Sequence, residues 1–286
     1  MIIALTGASG YIATYFREHS PFPDAVFLPL KRDESDEVWR DSISRADVIV
    51  NLAGYPVSRR WTSRNRKQIL ESRVHTTRRI VTILNSLPHS EHKKLFISAS
   101  ATGIYPDNSA EVFTESDETF SHNFLGMVVR KWESEAMKLK NPLVRLVIVR
   151  FGVVLGNNSP LISRLIPVFK AGFGGTLGRG NQIMPFIHVE DILGAFRYFV
   201  NNNQSAGVYN LVAPQIISNK DFTKALAKQM KKPAVFFVPS IVLFVLFGNA
   251  SRVMLKGSAV LPARLQKDGF VFGFDSIEKT LRNIVF

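Results

Sequence analysis

The stretch Leu5-Thr6-Gly7-Ala8-Ser9-Gly10-Tyr11-Ile12-Ala13 decides the fold. The apolar run Met1–Leu5 before it reads as a buried strand. Tyr11 to Glu18 reads as the first turns of a helix. A strand, a glycine turn and a helix therefore open the chain. Gly7 permits the sharp exit from the strand, and Gly10 leaves backbone N–H groups open to a phosphate because no Cβ covers them. Ala13 is small enough for close packing of helix on sheet. The free N–H groups and positive dipole end of the helix then face an anion. The spacing is G-x-x-G-x-x-A, a variant of the G-x-G-x-x-G pattern, and in this position it predicts a dinucleotide site.

Working outward, Ala25–Leu30 and Asp47–Asn51 read as the second and third strands. A helix follows over Ser63–Ser86, with Leu70, Val74, Thr77, Val81 and Leu84 on one face. Lys94–Ser98 is a fourth strand. Leu125, Val128, Val129, Trp132, Ala136 and Leu139 describe another amphipathic helix, Leu143–Arg150 a fifth strand and Val208–Val212 a late one. This alternation predicts an α/β fold built on a mainly parallel, doubly wound sheet. After Gly156 the texture becomes glycine-rich and irregular. Residues 1–155 with about 185–212 are assigned to the nucleotide-binding domain, and about 156–184 with 213–286 to a smaller, mixed substrate-side lobe.

Composition narrows the classes. The 286 residues are 46% hydrophobic, enough for a sizeable core, and contain no Cys, which excludes disulfides, zinc–thiolate sites and a cysteine nucleophile. That fits a reducing compartment, and cytoplasmic placement is expected. No secretory signal pattern is visible at the N-terminus. The net charge of +13 favours anionic ligands or surfaces, or simply a basic solvated surface. No zinc-finger, RNP or helix-turn-helix signature accompanies it, so no specific nucleic-acid partner and no metal are expected. Ile241–Phe247 is almost wholly apolar but too short to span a bilayer. It reads as a buried or dimer-contact helix, with peripheral membrane contact as the alternative. A monomer or homodimer is expected.

Cofactor choice is written after the second strand. An NAD site offers Asp or Glu to the ribose 2′-OH about 20 residues after the glycine turn, and an NADP site offers Arg. Here Lys31-Arg32 precede any acid. Arg grips a 2′-phosphate bidentately, so NADP(H) is the expected cofactor.

Further motifs carry a resemblance. TGASGYIA, NLAG at Asn51–Gly54 and the serine-bearing strand end resemble the extended short-chain dehydrogenase/reductase superfamily. RRWT at Arg59–Thr62, ESR at Glu71–Arg73, SATGIYPD at Ser100–Asp107 and KWE at Lys131–Glu133 narrow it. RFGVVLG at Arg150–Gly156, PFIHVED at Pro185–Asp191 and LPARLQKDGFVF at Leu261–Phe272 complete the set. Together they look like the atypical, YfcH-type NAD-dependent epimerase/dehydratase-like branch with a C-terminal domain of unknown function. The resemblance implies a Rossmann fold that binds NADP(H) through Gly7, Ser9, Gly10, Tyr11, Ile12, Lys31, Arg32, Leu52, Ala53, Gly54, Arg73 and Val153. It places Leu52–Gly54 along the adenosine and diphosphate, Arg73 reaching in from the next helix, and Val153 against the nicotinamide.

The superfamily's Tyr-x-x-x-Lys pair is missing. None of the six tyrosines has a lysine four residues on. Aligning KWE puts Leu125 and Val129 at those positions. Nucleotide-sugar enzymes of the superfamily carry an arginine where this chain has Met184. Ser100, Thr102 and Tyr105, at the end of the fourth strand, are the candidate catalytic residues. Arg59, Arg60 and Arg179 are candidates for meeting an anionic substrate, and His188 reads as structural. The expected function is an oxidoreductase on a small-molecule substrate. The alternative is a non-catalytic NADP(H)-binding regulator, linked to cell division by resemblance alone.

Overall fold

A computed structural model describes residues 1–88, 93–107 and 111–286. Its centre is a parallel sheet of six strands. Four of them are β1 (Ile2–Thr6), β2 (Val26–Leu30), β3 (Val48–Asn51) and β4 (Lys94–Ala101). Val144–Phe151 and Gly207–Leu211 continue the sheet beyond β4. Helices cover both faces, so the inner strands are buried on both sides. That is why β3 reads Val-Ile-Val-Asn without alternation. The helices α1 (Tyr11–Glu18), α2 (Asp36–Arg45), α3 (Ser63–Ser86) and α4 (Phe124–Ala136) form the connections. Side-chain caps from Ser35, Thr62 and Asn123 satisfy the first free N–H groups of α2, α3 and α4.

The strand order fixes where a ligand can lie. β2 pairs on one side of β1 and β3 on the other, with Thr6 opposite Asn51. The chain therefore reverses its winding direction at β1 and β3, the point of an open α/β sheet beyond whose carboxyl ends ligands bind. Buried polar side chains brace that point. Thr6 Oγ1 donates to Asn51 Oδ1 at 2.7 Å, Asn51 Nδ2 donates to Thr77 Oγ1 at 2.8 Å, and Trp132 Nε1 donates to the same hydroxyl at 2.9 Å. β1, β3, α3 and α4 are thus tied together behind the crevice.

A second core lies on the other side of Leu155. Leu155, Ile162, Phe169, Phe222, Leu226, Ile277 and Leu281 pack there. Leu265, Phe270 and Phe272 instead pack into the core against the sheet. The C-terminal stretch therefore returns to the six-stranded sheet. Asp191 holds it there by accepting the N–H of Gly273 at 2.8 Å and of Phe274 at 3.0 Å.

Of the settings the sequence allows for the Ser240–Phe247 helix, burial in the core is not the one found. Leu243 is its one buried residue, while Ile241, Val242, Phe244, Val245 and Leu246 are exposed. Composition is the same for a core helix and a surface one, so only packing separates them. Among the described residues no helix is long and apolar enough to cross a membrane.

His188 caps the Val189–Asn201 helix, its Nδ1 accepting the Glu190 N–H at 3.2 Å. Its ring stacks on Phe274 with centroids 3.8 Å apart. Burial holds its pKa down to about 4. Between about pH 6.5 and 4 the unfolded chain takes up a proton that the folded ring rejects. Stability therefore falls as pH falls through that window. Urea unfolding should show His188→Asn, which keeps a capping acceptor, losing about 2 kcal/mol less than the parent between pH 7 and 5. Parallel losses in both proteins would disprove this.

Candidate functional site

The crevice is built first by Gly7. Its φ of +66° suits glycine, and a Cβ there would lie 2.7 Å from the Leu52 carbonyl oxygen. The turn after β1 thus sits directly on the turn after β3. The Gly10 N–H bonds back to Gly7 at 2.8 Å, which closes the loop before α1 begins. Ser9 and Gly10 are exposed at that helix start, while Leu52 and Ala53 are half-buried beside it.

Cations surround this floor. Lys31 and Arg32 follow β2 and are exposed. Glu34, the nearest half-buried acid, is turned onto the Lys31 N–H at 2.9 Å. Arg73 comes from α3. Its Nη1 donates to the carbonyls of Tyr55 and Ile69, both at 3.0 Å, and its Nη2 lies against Gly54. Among the described residues no carboxylate pairs with it. Burial lowers its pKa to about 10. The guanidinium also lies over the Trp132 ring, 5.3 Å from its centroid.

The Tyr11 hydroxyl donates to the Asn157 carbonyl at 2.9 Å, and burial with the Glu190 charge pushes it up to about 12. Ile12, in the first turn of α1, packs on the core. The half-buried Val153 donates its N–H to Pro185 at 2.7 Å and lies 153–155 in register with Phe186–His188. Arg59, Arg60 and Arg179 are exposed.

The three candidate catalytic residues do not stand alike. Ser100 is buried and its Oγ donates to Glu133 Oε1. Glu133 is also gripped by Arg150 through two bonds of 2.8 Å. Arg150 donates on to the Tyr105 hydroxyl at 2.8 Å, and that hydroxyl donates to Asn210 Oδ1 at 2.9 Å. Burial penalises the Arg150 charge, but Glu133 outweighs this and raises its pKa. Burial likewise raises Tyr105, against the opposing pull of Arg150. Ser100 and Tyr105 are therefore members of a buried polar chain rather than free hydroxyls at a cleft. Thr102 is half-buried past the end of β4, with its Oγ1 3.3 Å from the Phe151 carbonyl.

Glu133 and Arg150 sit in stretches quoted above as motifs, yet sequence reading gave them no role. A matched acid and base seventeen residues apart would have been the signal, had their burial been visible. Val129 is buried beside Tyr105 and Phe113, and the half-buried Leu125 lies near Gly103. The helix thus presents packing groups where a proton-transfer pair would stand. Among the described residues no group of three His, Asp or Glu converges as a metal site.

With this geometry in hand, residues 3–211 match the family model described as the NAD dependent epimerase/dehydratase family. The chain belongs to that family. Residues 238–284 match a domain of unknown function, DUF1731. Among epimerase-family relatives, a chloroplastic SDR39U1 homologue of Arabidopsis thaliana is 30% identical over 303 residues, covering 100% of this chain and 87% of its own. The epimerase family protein YfhF of Bacillus subtilis is 34% identical over 239 residues, covering 84% of this chain and 78% of its own. The crystal structure of human epimerase family protein SDR39U1 (isoform 2) with NADPH superposes with a TM-score of 0.90 at 26% identity, covering 99% of this chain and 98% of that one. The six-stranded Rossmann-type architecture is thus shared across the whole chain.

The Glu133–Arg150 pair carries a stability cost if broken. Glu133→Ala strands a buried guanidinium and should lower the unfolding free energy by about 3–5 kcal/mol in urea titrations. Adding Arg150→Met should recover much of that loss, since no buried charge then remains. A double variant as unstable as the single one would show that the pair is not the source.

Proposed function

We propose that this epimerase-family chain binds NADP(H) beyond the carboxyl ends of β1 and β3 and acts as an oxidoreductase on a small-molecule substrate. One observation carries the cofactor reading. The exposed glycine turn at the start of α1 lies in a crevice edged by Arg73, which has no carboxylate partner among the described residues, with Lys31 and Arg32 after β2. Backbone N–H groups at α1 and the Arg73 guanidinium suit a diphosphate. Lys31 and Arg32 suit a 2′-phosphate. When bound, the nicotinamide supplies hydride transfer. The NADPH in the human SDR39U1 structure supports the same assignment.

Thr102 is the chain's own candidate for orienting a substrate oxygen, because Ser100 and Tyr105 are committed to Glu133 and Asn210. The same commitment favours a second reading, an NADP(H)-binding regulator without turnover. Leu125 and Val129 agree with it.

Fluorescence titration should find NADPH bound at least about tenfold more tightly than NADH, the yield of one charge-assisted hydrogen bond. Lys31→Ala with Arg32→Ala should narrow the gap by weakening NADPH. Equal affinities in the parent would refute the NADP(H) assignment.

Complementation of a deletion strain separates the two readings. The oxidoreductase reading expects Thr102→Val to lose function while keeping NADPH affinity. If Thr102→Val rescues fully and a folded Gly10→Asp does not, the regulator reading stands.

A further inference from the structure

The lobe carries an apolar surface that neither the core nor the cofactor crevice uses. Residues 240–247 read SIVLFVLF, apolar around the whole helix after Ser240. A helix of that kind belongs in a protein core or in lipid. Here Ile241 is 65% exposed, Phe244 52%, Val245 63% and Leu246 62%. The strand Phe236–Val238 precedes it and pairs with Gly175–Leu177. Phe237 is 60% exposed, and Phe173 lies 5.6 Å, ring to ring, from Phe236. The apolar surface therefore runs from the Phe173 turn through the strand and along the helix. Extended apolar surfaces of this sort mark interaction sites.

Charge selects the occupant. From residue 136 to 189, and again from 222 to 267, the chain contains no Asp or Glu. Lys170, Arg179, Lys231, Lys232, Arg252 and Lys256 are all exposed within those stretches. None of them forms an ion pair among the described residues. Arg60 adds a further cation against Gly248, at the end of the helix. A second copy of the chain, packed about a twofold axis, would bring two cationic rims together. A protein groove would have to match a helix whose exposed side chains offer no hydrogen-bonding group. Hydrocarbon asks for none, and anionic headgroups match the rim.

We propose that the Ser240–Phe247 helix, with Phe173 and Phe236–Phe237, inserts into the interface of an anionic lipid membrane while the exposed lysines and arginines that flank these segments in the chain bind headgroups. Eight residues rise about 12 Å, against a hydrocarbon core of about 30 Å, so the protein lies on the membrane and does not cross it. The helix enters the boundary between headgroups and acyl chains. Because Arg60 touches Gly248, the loop between β3 and α3 comes to the membrane surface with it.

Flotation of the full-length protein with vesicles tests this. Phosphatidylcholine vesicles are compared with vesicles containing about one-third phosphatidylglycerol, at low and physiological salt. Binding to the anionic vesicles should exceed binding to neutral ones at least tenfold and weaken as salt rises. The exposed-surface variant Ile241→Ser, Phe244→Ser, Leu246→Ser should lose at least tenfold in binding with unchanged circular dichroism. Lys231→Glu with Lys232→Glu should lose several-fold, most of it at low salt. Three outcomes would overturn the proposal: no vesicle binding by the parent, undiminished binding by the serine variant, or a stable dimer that the serine variant dissociates. The last would assign the surface to a second copy, and capture of one acidic protein without vesicle binding would assign it to that partner.

Discussion

The approach of Gly7 to the Leu52 carbonyl is the constraint on which the nucleotide side of this protein is built. The 2.7 Å separation that a Cβ would have from that oxygen leaves room for glycine alone. It brings the turn after β1 onto the turn after β3, at the place where the winding of the sheet reverses. The Thr6–Asn51–Thr77–Trp132 hydrogen bonds lock the same place from within. The crevice is therefore set by backbone contact and buried polar bonds, and the loops around it add only the charges. Preformed geometry of this kind lowers the ordering cost of binding.

Behind the crevice, the chain spends its polar groups on structure. Glu133 and Arg150 join α4 to the strand beside β4, and they draw Ser100 and Tyr105 into the same network. A buried pair of opposite charges is better tolerated when further hydrogen bonds support it, and here Ser100 donates to Glu133 while Arg150 donates to the Tyr105 hydroxyl. Val129 completes the arrangement from the apolar side. At the end of β4, Ser100 and Tyr105 thus belong to a buried network, and Thr102 is the hydroxyl of the three outside it.

The lobe follows a different rule. It buries a core of its own around Phe222 and Leu226, yet leaves an apolar helix outside that core. Exposed basic residues flank the helix along the chain, and the stretches that hold them contain no carboxylate. Positive charge next to apolar surface is a combination that lipid surfaces favour.

The central strands and the helices α1, α3 and α4 were legible in the sequence. The apolar run before Gly7 and the three- and four-residue steps along α3 act locally, within one turn or one strand. Local patterns of that length are written directly in adjacent residues. The pair of cations after β2 was legible for the same reason. Tertiary structure decided the rest, because it depends on residues far apart in the chain. Ser100 and Tyr105 looked like free hydroxyls until Glu133 and Asn210 were brought to them. The apolar stretch 241–247 was open to core, dimer-contact or membrane-contact settings until the fold left most of it exposed. The C-terminal phenylalanines crossed to the sheet side because Asp191 anchors Gly273 and Phe274 there. In each case burial decided the role, and burial is a property of the assembled surface that no single stretch of sequence records.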